Sequence, residues 1–187
     1  MSGIGHNGGP GFGTGIGWQK HCWTKARAEL LPRLPLEVIR WRVNRARQIG
    51  LPYRTYASVR ATTGRDIIAF LFSSNALHMV PPKAEPGPER AAALARIEGC
   101  ARHLALHAPL SQGDLPVGLA VDFASPAPRF TDGFADTRAK LRAALGPSLP
   151  SDAVLLVYET AMEREWIGAG NLAGGITGEA WANGTPG

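Results

Sequence analysis

Apolar residues in the first third of the chain recur at the spacing of helical turns. The clearest stretch consists of Leu36, Ile39, Val43 and Ala46. This spacing places apolar side chains on one face of a helix, for which Pro35 is a suitable start and Gly50 a suitable end. Similar patterns predict helices over residues 18–31 and 53–61, the second of which should end at Gly64. Two or three short helices with tight joints resemble a helix-turn-helix unit.

The pattern changes at Asp66, after which short apolar runs replace the helical spacing. Residues 67–72, with the sequence IIAFLF, lead into the polar residues 73–75. Such a run predicts a buried strand, and a helix remains the alternative because periodicity does not separate the two. Residues 153–158, with the sequence AVLLVY, are the clearest buried strand of the chain.

Helix and strand patterns alternate over most of the remaining chain. The predicted helices cover residues 89–98, 130–145 and 161–173, and the further predicted strands cover residues 102–108 and 116–123. Alternation of this kind favours a small layered α/β fold with four to five strands and some parallel pairing. An α+β fold is the alternative.

Glycine, proline and charge divide the chain into four predicted parts. Residues 1–17 hold eight glycines and predict a flexible arm, because glycine loses the most backbone entropy on ordering. Residues 18–65 form a basic helical part and residues 66–175 an α/β part, which contains a linker or exposed loop at 81–88. The glycine-rich residues 176–187 predict a flexible tail.

The length and composition of the chain limit the classes of protein to which we expect it to belong. The chain has 187 residues, 44% of them hydrophobic, and no apolar run of about 18 residues, so we expect neither a membrane-spanning helix nor a membrane partner. The first residues lack the basic and apolar segments of a secretory signal. We therefore expect a cytoplasmic protein in which Cys22 and Cys100 are free thiols. Because no phosphate-binding loop motif occurs, we predict no cofactor.

Charge is distributed unevenly along the chain. Residues 1–65 carry eleven Lys and Arg against two acids, a net charge of +9, and residues 66–187 carry a net charge of −4. The basic part favours nucleic acid or another acidic macromolecule as partner, since arginine pairs with phosphate and aromatic rings stack on bases. The predicted contacts are Arg40, Arg42, Arg45, Arg47, Tyr53, Arg54, Tyr56 and Arg60. The alternative is that these arginines pack against acids of the same chain.

Acidic residues follow two of the predicted strands. Glu159 comes directly after residues 153–158, with Glu163 four residues on, and Asp122 lies at the end of residues 116–123. Ligands of open α/β sheets bind at the carboxyl ends of strands, where carboxylates hold Mg²⁺ or act as acid and base. A catalytic alternative therefore uses Asp122, Glu159 and Glu163. The competing interpretation is that these acids lie in solvated first turns of helices.

A third pattern, Cys100-x2-His103-x3-His107, has the spacing of metal ligands. On a helix the three side chains would lie near one face and suit zinc. On a strand His103 and His107 share a face that excludes Cys100. Because the segment has a strand pattern, we interpret these residues as isolated histidines and a buried thiol, with a metal site as the alternative.

Two segments of the N-terminal third have a distinctive order of residues. Residues 4–10 read IGHNGGP, and residues 42–56 contain Arg-x-x-Arg-Ala-x-x-x-Gly-Leu-x-Tyr-x-x-Tyr. In these segments the chain resembles a set of short, mostly uncharacterised bacterial proteins, some of them associated with phage-like or mobile elements. The resemblance covers at most residues 1–66. It implies a helix-turn-helix-like element with a regulatory or nucleic-acid role.

The leading hypothesis from the sequence is a nucleic-acid-associated or regulatory protein whose basic helical part contacts phosphates. One alternative is a small α/β hydrolase or transferase with a carboxylate site at the carboxyl ends of the strands. Another is a protein-interaction or assembly subunit that docks on an acidic partner. The sequence predicts no oligomeric state.

Overall fold

The structure is a computed structural model that describes residues 34–79, 81 and 85–184 of the chain. The chain divides into two compact units, Met1–Ile39 and Arg40–Gly187. In the first unit the structure describes the residues from position 34 onward, and the first helix begins at Leu36. The second unit holds the sheet and the other helices and strands described below.

A sheet of five parallel strands forms the centre of the second unit, and the predicted α/β fold class is confirmed. In chain order the strands are β1 (Ala69–Ser73), β2 (Ala101–Leu106), β3 (Phe123–Pro126), β4 (Val154–Tyr158) and β5 (Gly174–Thr177). Their order across the sheet is β3-β2-β1-β4-β5. Strand β1 is buried along its whole length, which explains why its sequence is continuously apolar.

Seven helices are described around the sheet. They are α1 (Leu36–Gln48), α2 (Tyr53–Thr63), α3 (Pro88–Ala95), α4 (Phe134–Leu145), α5 (Ala161–Arg164), α6 (Trp166–Gly170) and α7 (Gly178–Gly184). The predicted ends of the first two are confirmed, because Gly50 and Gly64 follow α1 and α2 with φ angles of 68° and 71°. Glycine adopts this left-handed backbone without the steric cost that a side chain brings.

The two faces of the sheet bury different side chains. Phe70 and Phe72 of β1 point to a core that also contains Ala46 at the end of α1, Tyr56 of α2 and Trp181 of α7. The alternate side chains of the central strands point to a second core, which contains Leu71, Leu156, Leu141, Trp166 and Ala169. Helices α4 and α6 supply the last three. The second unit is therefore a sheet packed between two helical layers.

An ion pair joins the end of α1 and helix α2 to the start of β1. Asp66 accepts hydrogen bonds from Arg45 Nε at 3.1 Å and from Tyr56 Oη at 2.8 Å. Arg45 also donates to the carbonyl oxygens of Ile67 and Gly99, each at 3.0 Å. Residues on both sides of the predicted boundary after residue 65 therefore share one core and one polar cluster.

Two predicted elements differ more strongly from the structure than the others do. The strand expected over residues 116–123 is wrong except at its last residue, because β3 begins at Phe123. Pro116 and Gly118 disrupt extended pairing, and the side chain of Val117 is fully exposed. The helix expected over residues 161–173 is divided into α5 and α6 and ends at Asn171, whose φ is 52°.

The predicted flexible tail is also corrected. Residues 176–177 belong to β5, and the following residues form α7. The reason is Trp181, which is fully buried with its ring centroid 4.9 Å from that of Phe72. Burial of an aromatic side chain stabilises a fold by about 1.5–3 kcal/mol, which opposes the entropy cost of ordering the glycines.

Some predictions fall outside the described residues. These are the arm over residues 1–17, the helix over residues 18–31 and the last three residues of the predicted tail. Among the described residues, no helix has both the length and the apolar character that a membrane span requires.

Candidate functional site

The strand order places the carboxyl ends of β1 and β4 at the point where the topology of the sheet reverses. From β1 the chain builds outward through β2 to β3, and it then returns to the other side of β1 to form β4 and β5. In open parallel sheets, the loops on either side of this point diverge and leave a crevice for ligands. The residues that follow β1, β2 and β4 are therefore the first place to look for a site.

The buried carboxylate of Glu163 connects these three loops. Its Oε1 accepts a hydrogen bond from Asn75 Nδ2 at 2.9 Å and lies 3.3 Å from His107 Nε2. Its Oε2 accepts the backbone N–H groups of Glu159 at 2.8 Å and Thr160 at 2.9 Å. Glu163 is only 2% exposed. A buried charge of this kind is tolerated because both oxygens accept hydrogen bonds, three in all.

The start of helix α5 holds Glu163 in this position. Thr160 Oγ1 accepts the backbone N–H of Glu163 at 3.2 Å, while the Glu163 carboxylate accepts the N–H of Thr160. This reciprocal pair is a capping box. The sequence Thr160-Ala-Met-Glu163 carries the signature of that motif, and it is the local signal by which Glu163 is recognisable as a structural carboxylate.

Contacts at both ring nitrogens set the orientation of His107. Ser74 Oγ accepts the backbone N–H of His107 at 3.1 Å and lies 2.9 Å from its Nδ1. On the other side of the ring, Nε2 lies 3.3 Å from Glu163 Oε1. Burial lowers the pKa of His107 more than Glu163 raises it, so the ring is neutral. The His107 ring stacks on Trp166, with 5.6 Å between the ring centroids and an angle of 20° between the ring planes.

A cleft of about 610 Å³ lies beside this cluster. The loops that follow β2, β3 and β4 line it, together with the first turn of α4. Its apolar lining includes Leu106, Leu110, Ala127, Phe130, Met162 and Trp166. Phe130, Phe134 and Met162 are 82%, 66% and 54% exposed. The volume falls in the range of about 300–1,000 Å³ that is typical of small-molecule sites.

Polar residues are placed around the same cleft. Asn75 and His107 line it from the hydrogen-bonded cluster. Arg129, Asp132 and Glu165 line it from the loops. Lys140 forms an ion pair with Asp132 and holds the pKa of that carboxyl below its usual range. The cleft therefore combines apolar walls with a small number of oriented polar groups.

The structure separates the carboxylates that the sequence analysis grouped. Glu163 and the backbone of Glu159 are at the carboxyl ends of the strands, but Asp122 precedes β3 and lies beside Arg102 at the opposite end of the sheet. Its oxygens accept from Arg102 Nη2 at 2.9 Å and Nε at 3.1 Å. These bonds hold the pKa of Asp122 below its usual range. The predicted convergence of Asp122 with Glu159 is wrong.

The three possible metal ligands have separate environments. Cys100 lies near the carbonyl of Ile67, and burial raises the pKa of its thiol to about 12. His103 Nδ1 lies 2.9 Å from the carbonyl oxygen of Ala144, and His107 belongs to the Glu163 cluster. Within the described ranges, no three His, Cys, Asp or Glu residues are placed to hold a metal ion.

The predicted nucleic-acid contacts divide into inward-facing and exposed residues. The prediction is wrong for Tyr56, which is fully buried, and for Arg45, whose guanidinium is bonded to Asp66. Arg60 lies 3.8 Å from the same carboxylate and 5.6 Å from the ring centroid of Trp41. Arg42 is half-buried. The exposed members of the set are Arg40, Arg47, Tyr53 and Arg54.

Comparisons with protein-family models, with curated proteins and with solved structures find no match to this chain. Function is therefore inferred from the geometry of the site. The residues that the sequence analysis missed there are Arg129, Phe130 and Trp166, because each lies in a loop or short helix whose pattern has no chemical signature.

Replacing Glu163 by Gln should destabilise the protein by about 2–4 kcal/mol, because the new amide NH₂ faces groups that are themselves donors. Urea denaturation of the full chain measures this change in the free energy of unfolding. Glu165→Gln is the matched control: Glu165 is exposed, and its replacement should change stability by less than about 0.5 kcal/mol. Equal effects of the two substitutions would contradict the structural role of Glu163.

Acid should destabilise the fold through His107. Because the folded-state pKa is lowered, the unfolded chain binds more protons below its ordinary pKa of about 6.5, and stability falls as the pH decreases through that value towards the folded pKa. Uptake of this one proton changes the free energy of unfolding by at most about 1.4 kcal/mol per pH unit.

The measurement is the free energy of unfolding at several pH values from 7.5 to 5. His107→Gln should reduce the slope of stability against pH. The proposed role of His107 fails if wild type and His107→Gln have the same slope.

Proposed function

We propose that this protein binds a small organic molecule with an apolar body in the cleft at the carboxyl edge of its sheet. The observation that carries the proposal is the cleft itself: about 610 Å³ of space beside a cluster of side chains held in one orientation by Glu163. Sites of this kind occur where parallel strands end and the topology reverses.

The exposed side chains at the cleft support the proposal. Phe130, Phe134 and Met162 all line the cleft and are more than half exposed. A single exposed apolar residue has no special meaning, but several at the mouth of one cleft are typical of a binding site. A bound apolar group would remove part of this surface from water, which supplies a driving force for binding.

The rigidity of the polar groups supports binding in a defined orientation. Asn75 and His107 line the cleft; Asn75 donates a hydrogen bond to Glu163, and His107 Nε2 lies 3.3 Å from the same carboxylate. Ser74 is fully buried and is not part of the lining, so its hydroxyl positions His107 and is not presented to the cleft as a nucleophile. The proposal therefore assigns these residues to ligand orientation.

The uncharged dye Nile red serves as a probe of the apolar cleft. It should bind the full chain at one saturable site, and the double substitution Phe130→Ser, Phe134→Ser should raise its dissociation constant about tenfold, since the loss of roughly 0.7 kcal/mol of apolar contact at each ring adds to about 1.4 kcal/mol. Fluorescence titration measures the dissociation constant.

Val117→Ser is the control, because Val117 is fully exposed and is not part of the cleft lining. It should leave dye binding unchanged. The proposal is contradicted if the wild-type chain shows no saturable binding, or if the control weakens binding as much as the double substitution does.

A second candidate function is contact with nucleic acid through part of the basic segment. The specific observation is that Arg40, Arg47 and Arg54 are exposed and have no ion pair among the described residues. Arg40 and Arg47 are seven residues apart on α1 and therefore share a face. Tyr53 is 36% exposed and is available to stack on a base.

This candidate predicts binding to single-stranded or duplex DNA that weakens with salt. Each phosphate contact contributes about 0.7–0.9 to the slope of log affinity against log salt concentration, so removal of three contacts should reduce the slope by about 2–3. Fluorescence anisotropy of labelled DNA measures the slope. The variant replaces three residues by Gln: Arg40, Arg47 and Arg54.

The matched control replaces three exposed arginines elsewhere by Gln: Arg96, Arg138 and Arg142. It removes the same total charge from a different surface and should leave the slope closer to that of the wild type. Absence of binding at low salt, or equal losses in both triple variants, would exclude a specific role for the α1 and α2 arginines.

A further inference from the structure

Two charged groups of the cleft have no ion-pair partner within the described part of the protein. Glu163 accepts three hydrogen bonds, and Asp132 has Lys140 as its ion-pair partner. Arg129 and Glu165 differ from these two. Both are exposed, both line the cleft, and neither side chain has a hydrogen bond or ion pair among the described residues, although the charge of Arg129 contributes to the lowered pKa of nearby Asp132.

The two unpaired charges are on different loops. Arg129 lies between β3 and α4, and Glu165 lies between α5 and α6. Each is next in sequence to an aromatic residue of the lining, Phe130 beside Arg129 and Trp166 beside Glu165. The cleft therefore presents one cationic and one anionic group, and each adjoins apolar surface.

From this arrangement we propose that the ligand is zwitterionic: an amino-acid-like molecule with a carboxylate, an ammonium group and a bulky apolar side chain. Arg129 would pair with the carboxylate, for which a guanidinium is the best-matched side chain. Glu165 would pair with the ammonium group, and the apolar walls would receive the side chain. This inference depends on the proposed small-molecule function and assigns its ligand class.

The buried cluster beside the cleft is consistent with this assignment. Glu163 is only 2% exposed, and its carboxylate already accepts hydrogen bonds from Asn75 and from two backbone N–H groups. The exposed charged groups that remain for recognition are Arg129 and Glu165. A ligand with a single charge would leave one of the two unpaired, and the zwitterion is the class that satisfies both.

Four indole compounds with similar ring systems test the proposal by isothermal titration calorimetry on the full chain. Tryptophan carries both charges, indole-3-propionate the carboxylate, tryptamine the ammonium group, and tryptophol neither. Because exposed ion pairs contribute modestly, we expect each matched charge to tighten binding about three- to fivefold, so that tryptophan binds most tightly and tryptophol most weakly.

Two substitutions assign the charges to residues. Arg129→Met should weaken tryptophan and indole-3-propionate about three- to fivefold and leave tryptamine unchanged. Glu165→Gln should weaken tryptophan and tryptamine and leave indole-3-propionate unchanged. The controls, Arg138→Met and Glu179→Gln, change exposed residues outside the cleft lining and should have no effect.

The outcomes separate this inference from the proposed function. If Nile red binds in the cleft but all four indoles bind equally, or if neither Arg129→Met nor Glu165→Gln discriminates among them, the zwitterion is excluded and the small-molecule cleft remains. If Arg129→Met weakens binding of the charged indoles and Glu165→Gln does not, the ligand class is anionic and the zwitterion proposal is also overturned. If neither Nile red nor any indole binds, both proposals fail.

Discussion

A single buried carboxylate determines the arrangement of the loops at the carboxyl edge of the sheet. Transfer of a charge from water to a protein interior is costly unless hydrogen bonds replace its hydration. Glu163 meets this requirement with three hydrogen bonds, from Asn75 after β1 and from two backbone N–H groups after β4, and His107 after β2 lies 3.3 Å from its Oε1. Displacement of the loop after β1 or β4 would leave the carboxylate short of a donor, so these loops hold each other in place beside His107.

This constraint connects the topology of the sheet to its proposed function. Strand order alone predicts a crevice near the ends of β1 and β4, but loops tend to be mobile. In this protein, a hydrogen bond to Glu163 orients Asn75 at the cleft, and contacts with Ser74 and Glu163 orient His107 there. The apolar side chains at the mouth have no such support, so the cleft has a fixed polar side and an adaptable apolar side.

The local sequence predicted the elements that a single strong signal marks, such as a continuous apolar run or a glycine at a helix end. The run of residues 67–72 marked the central strand, and Gly50 and Gly64 marked the ends of two helices. Strand β3 was misplaced because an edge strand of four residues, ending in Pro126, has little pattern of its own. The tail was wrongly predicted to be flexible because of its glycine content. Its helix depends on the burial of Trp181 against a partner more than a hundred residues away, which the local sequence does not show.

The candidate site was harder to predict because its contacts join distant parts of the chain. Glu163 was identified as a candidate, but Asn75 is 88 residues from it and His107 was considered only as a metal ligand. The same limitation applies to charge: Arg45 lies 21 residues before the acid that pairs with it.

The packing of Trp181 on Phe72 also has a consequence for biosynthesis. During translation, the central strand leaves the ribosome long before the helix that covers it. The nascent chain would therefore expose the aromatic side chains of this strand until residue 181 has been synthesised and has left the ribosome.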